Sequence, residues 1–269
     1  MSSKLGLIAV VGLTISAVSL SAAAMVGGKE LHDKYGDDFI NKFLQNFDND
    51  FVGQEPSSSQ PGEKTWSWNG DSLEIDVPGI VRAITGAPAH ITLKGEQKDE
   101  NRQSTEITVR APQDVLDRVR FDDGKLALAG HSRIMNQKQP TEINIEGKPM
   151  QSYTLRVGKL ELGHVDQDDL TVRIAGAGEV SADGRTNDLT LNISGAGNAR
   201  FGELVVKTAD VKLSGAGNAE ISASDEADIT ISGIGNVKLL TLPKKLTTHL
   251  SGLGHVEGPD GRDVSRGYE

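Results

Sequence analysis

From Thr65 onwards, apolar and polar residues alternate in short runs: SLEIDV, EITVRA, KLALAG, TEINIEG and YTLRVGKLEL, with turn-forming residues between them. A period of two between turn signals predicts strands with one buried face. No stretch beyond residue 64 carries a long helical stripe; Val115, Leu116 and Val119 support only a turn or two. Residues 65–258 therefore read as an all-β domain, followed by a C-terminal tail at 259–269.

Upstream the period changes. Leu31, Tyr35, Phe39, Phe43 and Phe47 recur every fourth residue, with Ile40 and Leu44 beside them, which predicts an amphipathic helix over 29–47. Residues 48–64, DNDFVGQEPSSSQPGEK, are polar and rich in Pro, Ser and Gly, and read as a flexible linker. Residues 1–28 hold Lys4 and then no charge from Leu5 to Gly28, an apolar helix long enough to span a bilayer. Two readings stand: a signal peptide cleaved after Ala24, or an uncleaved anchor that ties the protein to the inner membrane through residues 5–28. Both export the domain, to the periplasm or the cell envelope.

Within the β region one sentence recurs: IAGAGEV, ISGAGNA, LSGAGNA, ISGIGNV and LSGLGHV. Their first glycines, Gly176, Gly195, Gly215, Gly233 and Gly252, step by 19, 20, 18 and 19 residues. Two positions on stand Gly178, Gly197, Gly217, Gly235 and Gly254. Paired glycines at a fixed phase predict a corner needing φ > 0 or close backbone approach. Before each corner, alternate positions are apolar: Ile174, Ile193, Leu213, Ile231 and Leu250 lead the nearest column. The next column holds Val172, Leu191, Val211, Ile229 and Thr248, and the third Leu170, Leu189, Ala209, Ala227 and Leu246. One repeat cannot bury such a face by itself, whereas repeats laid side by side can. The expected fold is a single-stranded right-handed parallel β-helix or β-roll solenoid of repeats near 19 residues. After each corner, Asn198, Asn218 and Asn236 occupy one position and predict an amide ladder in which each side chain donates to the next. Two places further, Ser181, Arg200, Glu220, Lys238 and Glu257 would set opposite charges beside one another. Gly86 and Gly130 sit in degraded versions of the corner, which favours one continuous domain.

Composition narrows the function. At 36% apolar and 4% aromatic residues, the core must be built from Val, Ile, Leu and Ala. A formal charge of −10 argues against nucleic acid as a partner. The absence of cysteine removes disulfides, thiol catalysis and zinc–thiolate sites.

The iterated ISGAGN and LSGAGN corners, with TWSWNGDSLEIDVPGIVRAITGAPAHITLKG and VLDRVRFDDGKLALAG upstream, resemble the GIN-domain family of autotransporter adhesin head domains. The likeness covers about residues 65–258. It implies an exported bacterial protein of right-handed β-helical type, for which no activity is established. The large C-terminal membrane barrel of an autotransporter is not part of the likeness.

Candidate chemistry is sparse. His32, His90, His131, His164, His249 and His255 form no zinc-binding pair. GHVDQDD places Asp166, Asp168 and Asp169 near His164, but lacks the glycine turn and distal glutamate of a calcium loop. No metal or cofactor is expected. Asp210 and Asp228 would lie on adjacent repeats, where a polysaccharide-cleaving enzyme would place paired carboxylates, yet Lys212 offers local neutralisation. Trp66 and Trp68 share one strand face, and either stack on a sugar or cover the open end of the solenoid. The resulting reading is a non-enzymatic, adhesin-like module of the cell envelope, binding a protein or polysaccharide. A carbohydrate-binding module and a glycan-cleaving enzyme are the alternatives.

Overall fold

The computed structural model describes residues 61–85, 104–130 and 141–266. The expected segments at 1–28 and 29–47, and most of the expected linker, lie outside them. The described residues are all-β apart from one helical turn. The strands are β1 (Gly62–Trp68), β2 (Ser72–Asp76), β3 (Ile80–Thr85), β4 (Thr105–Ala111), β5 (Val119–Asp122), β6 (Lys125–Leu128) and β7 (Glu142–Gly147). They continue as β8 (Ser152–Ile193), β9 (Ala196–Leu213), β10 (Ala216–Ile231), β11 (Val237–Leu239), β12 (Lys245–Leu250) and β13 (Val256–Glu257). The helical turn, α1 (Gln113–Leu116), lies between β4 and β5 and buries Val115 and Leu116.

All thirteen strands join one sheet, in the order β1-β4-β7-β3-β8-β9-β10-β11-β13, with β12 on β10 and the group β2, β5, β6 beside it. A 42-residue strand such as β8 would run roughly 140 Å if straight, at about 3.3 Å per residue. It bends instead, at Gly158 (φ +111°), His164 (φ +57°) and Gly184 (φ +110°). The step in sequence from one repeat to the next thereby becomes a step sideways to the neighbouring strand.

From β8 onwards the pairing is parallel and keeps the phase of the repeats. Leu191 lies opposite Val211, Val211 opposite Ile229, and Ile229 opposite Thr248. Ile193, Leu213, Ile231 and Leu250 form a second row, and Leu189, Ala209, Ala227 and Leu246 a third. Rows in β8, β9 and β10 are buried; in β12, which pairs with β10 on one side only, Leu246 and Thr248 are half-buried and Leu250 is 37% exposed. The burial of each repeat comes from having a neighbour on both sides.

The first half does not follow a uniformly parallel scheme. β1 with β4, β4 with β7, and β5 with β6 are antiparallel, while β2 and β3 run parallel to β8. The sequence from Gly62 to Gly147 lacks the 19-residue period, so nothing forces each strand to return in the direction of its predecessor. β1 also takes in Gly62–Lys64, inside the expected linker. A fully buried hydrogen bond ties the halves: the Tyr153 hydroxyl on β8 and the Thr85 hydroxyl at the end of β3 are 2.9 Å apart. Burial holds that phenol well above its ordinary pKa.

Candidate functional site

The twin glycines fall in register. Gly178, Gly197 and Gly217 lie opposite one another on β8, β9 and β10. A β-carbon on Gly195 would lie 1.8 Å from the carbonyl oxygen of Gly176; on Gly215, 1.9 Å from Gly195; on Gly233, 1.9 Å from Gly215; on Gly252, 2.0 Å from Gly233. The second glycines repeat the contact: Gly197 against Gly178 (2.5 Å), Gly217 against Gly197 (1.8 Å), Gly235 against Gly217 (1.6 Å) and Gly254 against Gly235 (1.8 Å). Gly176 and Gly178 meet the carbonyls of Arg156 and Gly158 in the same way. Among these ten, only Gly235 (φ +148°) has a positive φ. Close approach of backbone to backbone is what demands glycine here.

The asparagines link repeats by a different bond from the one their spacing suggested. Oδ1 of Asn198 accepts the backbone N–H of Asn218 (3.1 Å), Oδ1 of Asn218 that of Asn236 (3.0 Å), and Oδ1 of Asn236 that of His255 (3.2 Å). Each amide oxygen supplies an acceptor to the next repeat's main chain. In the outer column, Ser181, Arg200, Glu220, Lys238 and Glu257 are opposite one another, but Arg200 ion-pairs with Glu179 (2.6 Å).

Trp66 and Trp68 are half-buried on the inner face of β1 and pack on Phe121 of β5, with ring centroids 6.1 and 5.6 Å apart. Trp68 Nε1 donates to the Ser72 carbonyl at 3.0 Å. The acidic candidates are engaged locally. Asp166 accepts hydrogen bonds from both Nε and Nη2 of Arg185 (2.8 and 3.1 Å), which holds its carboxyl below the ordinary range. Asp168 accepts the Asn187 amide at 2.5 Å. Asp210 and Asp228 are opposite one another, and Lys212 Nζ reaches Asp210 Oδ2 at 2.7 Å. That hydrogen bond, then the charge of Asp210 and of Asp228, raises the lysine's pKa. Among the described residues, no group of three His, Asp or Glu side chains is placed to hold a metal ion. Nor, among them, is any helix long and apolar enough to cross a membrane.

One concave feature went unforeseen. A groove of about 710 Å³ crosses successive strand segments. Arg82 and Ile84 of β3 begin it; Glu161–His164 and Ser181–Asp183 of β8 continue it; Arg200, Gly202 and Glu203 of β9, Glu220 of β10 and Leu240 complete it. Leu162 and Ala182 are buried in its floor, and Leu240 is 37% exposed. The local irregularity behind it is a register shift between Ser181 and Asp183 against β9, and another after Ile221 of β10, also against β9. A signal did exist in the sequence: the one 20-residue step, Gly195 to Gly215, contains the Gly202-Glu203 insertion at the groove's centre.

These features define an all-β repeat protein with an elongated surface groove. A family model described as "Putative auto-transporter adhesin, head GIN domain" matches residues 87–243, and the chain belongs to that family. Among solved structures, a putative adhesin from Bacteroides fragilis NCTC 9343 is similar at 16% identity and a TM-score of 0.56, covering 77% of this chain and 100% of that one. At that identity the likeness is one of fold. A putative adhesin from Parabacteroides merdae ATCC 43184 matches at 15% identity and 0.38, over 75% of this chain and 97% of that one. A putative lipid binding protein from Parabacteroides distasonis ATCC 8503 matches at 12% and 0.37, over 76% and 99%. No curated protein matches the chain.

Proposed function

We propose that this chain is an exported, non-enzymatic, adhesin-like interaction module of the cell envelope, whose residues 65–258 wind as a right-handed parallel β-helix. Membership of the adhesin head family supports the adhesin-like part. Parallel, in-register pairing from β8 to β13 supports the winding, and right-handed crossovers are the rule between parallel strands. Residues 1–28 act as the export signal or anchor, 29–47 as an amphipathic helix, 48–64 as a spacer and 259–269 as a tail. The glycine corners and the Asn198, Asn218 and Asn236 bonds are structural devices in this reading. Trp66 and Trp68 close one end of the helix, since their inner faces are occupied by Phe121.

The groove carries the reading. Its lining comes from several successive segments, an arrangement suited to a partner that lies along the domain. The carbohydrate alternative loses ground because both tryptophans are committed to packing, and the enzyme alternative because Lys212 neutralises Asp210. The test displays the full chain on cells that lack it and measures their retention on immobilised envelope material, with fractionation and intact mass run alongside. Retention that soluble chain competes away is the expected result. A chain found only in the cytosol, or cells that bind no better than the parent, would refute the proposal.

A further inference from the structure

Part of the negative charge lining the groove is not ion-paired. Both arginines are committed, Arg82 to Glu161 (3.2 Å) and Arg200 to Glu179 (2.6 Å). Glu203 and Glu220 form no ion pair among the described residues. Asp183 uses Oδ1 to accept the His164 backbone N–H at 2.8 Å, which leaves its charge unneutralised. Strand register sets the spacing: Asp183 lies opposite Glu203, and Glu220 lies one strand further on, opposite Arg200. Adjacent strands are about 4.8 Å apart, so Asp183 and Glu203 face each other directly, while Glu220, on the next strand, lies between Arg200 and Lys238. Like charges at that spacing repel, and a cation laid along them relieves the repulsion.

The floor supplies the second half of the chemistry. Ile84 and Leu162 lie at one end and Leu240 at the other, its methyl groups over Gly202, where a β-carbon would come within 2.7 Å. No Phe, Tyr or Trp lines the groove, so it lacks the broad stacking platform that sugar rings favour. From β3 to Leu240 the groove crosses six successive segments, five steps of about 4.8 Å or roughly 24 Å in all, the reach of about seven extended residues. An extended peptide turns alternate side chains to opposite faces, one set toward the aliphatic floor and the other toward the acidic wall.

We propose that the groove binds an extended, amphipathic polypeptide segment in which Lys or Arg alternates with aliphatic residues. The inference rests on the reading of the chain as an interaction module and names the partner class for that site. The long lysine stem absorbs the mismatch between side-chain spacing on the ligand and carboxylate spacing on the wall. The charge of −10 on the whole chain draws the same class of partner toward it.

Fluorescence anisotropy tests this with the full chain in mild detergent and a labelled octapeptide of alternating Lys and Val; alternating Glu and Val is the control. The basic peptide binds and is weakened by rising salt, while the acidic one does not bind. Glu203→Gln combined with Glu220→Gln weakens binding at least tenfold without changing the melting curve, and Asp188→Asn, away from the groove, leaves it unchanged. Leu240→Ser weakens the binding that remains at high salt. Equal binding of both peptides, an equal loss in Asp188→Asn, or displacement of the peptide by a neutral oligosaccharide would overturn the assignment. So would cells that are retained on envelope material by a chain that ignores the basic peptide, an outcome that leaves the module reading intact.

Discussion

Glycine serves different ends in the two halves of this domain. In the repeats, Gly217 is forced by contact: a β-carbon there would sit 1.8 Å from the Gly197 carbonyl oxygen. In the first half, Gly130 has φ +89° and nothing within 4 Å of such a carbon, so its demand is conformational. The difference extends to the whole architecture. Repeats stabilise one another through equivalent residues in register, and each constraint on one is copied to the next. The region from Gly62 to Gly147 mixes antiparallel and parallel pairs and is joined by bonds that occur once. Glu74 of β2 is an example, taking Lys125 of β6 at 2.7 Å and Arg156 of β8 at 2.6 Å.

The strongest way to break this contrast is to put a charge into a shared row. Leu213 is 1% exposed and lies between Ile193 and Ile231, so Leu213→Asp costs more than about 5 kcal/mol and unfolds the repeats. A denaturation midpoint matching the parent chain would count against in-register burial. Next in size, Gly217→Ala costs about 3 kcal/mol or more through its backbone clash, whereas Gly130→Ala costs only about 1–2 kcal/mol in backbone strain. Equal losses in the two variants, measured by urea unfolding, would erase the distinction between contact and conformation.

Smaller effects sharpen the comparison. Asn198 is 6% exposed, and Asn198→Ala strips the Asn218 N–H of its acceptor at a cost of about 1–2 kcal/mol. Hydrogen exchange at the Asn218 amide should quicken in that variant before the rest of the repeat opens. The first half should carry the acid sensitivity of a unique ion pair. The hydrogen bond from Lys125, then that from Arg156, holds the Glu74 carboxyl below its usual 4.5. A carboxylate lowered on folding stabilises the native state at neutral pH and ceases to do so as pH falls below 4.5 and through the lowered value. Glu74→Gln should therefore flatten the acid limb of the stability–pH curve, by less than about 1 kcal/mol because the pair is partly solvated. An unchanged acid limb would assign that sensitivity elsewhere.

How much of this was legible depends on whether a residue's neighbour is its own equivalent. Ile193, Leu213 and Ile231 announce one another by spacing, and the same logic places Gly197 opposite Gly217. The pairing of Trp66 with Ile107 does not, because 40 residues of unrelated sequence separate them and no period links their phases. The asparagine column was visible, but not that its oxygens would meet main-chain N–H groups. The groove was hidden for a similar reason: Arg82, Asp183, Glu203 and Leu240 share no motif and are gathered by register shifts.

By itself, the sequence determined that the described residues beyond Thr65 are β-structured apart from one helical turn, that the repeats share one buried phase, and that their corners admit only glycine. These are local or periodic demands, imposed wherever a side chain must alternate or a backbone must pass close to its copy. Strand direction in the first half, the acceptors chosen by Asn198, Asn218 and Asn236, and the acidic groove were decided only by tertiary structure. Each depends on which distant segments come within a few ångströms, and no spacing along the chain records that.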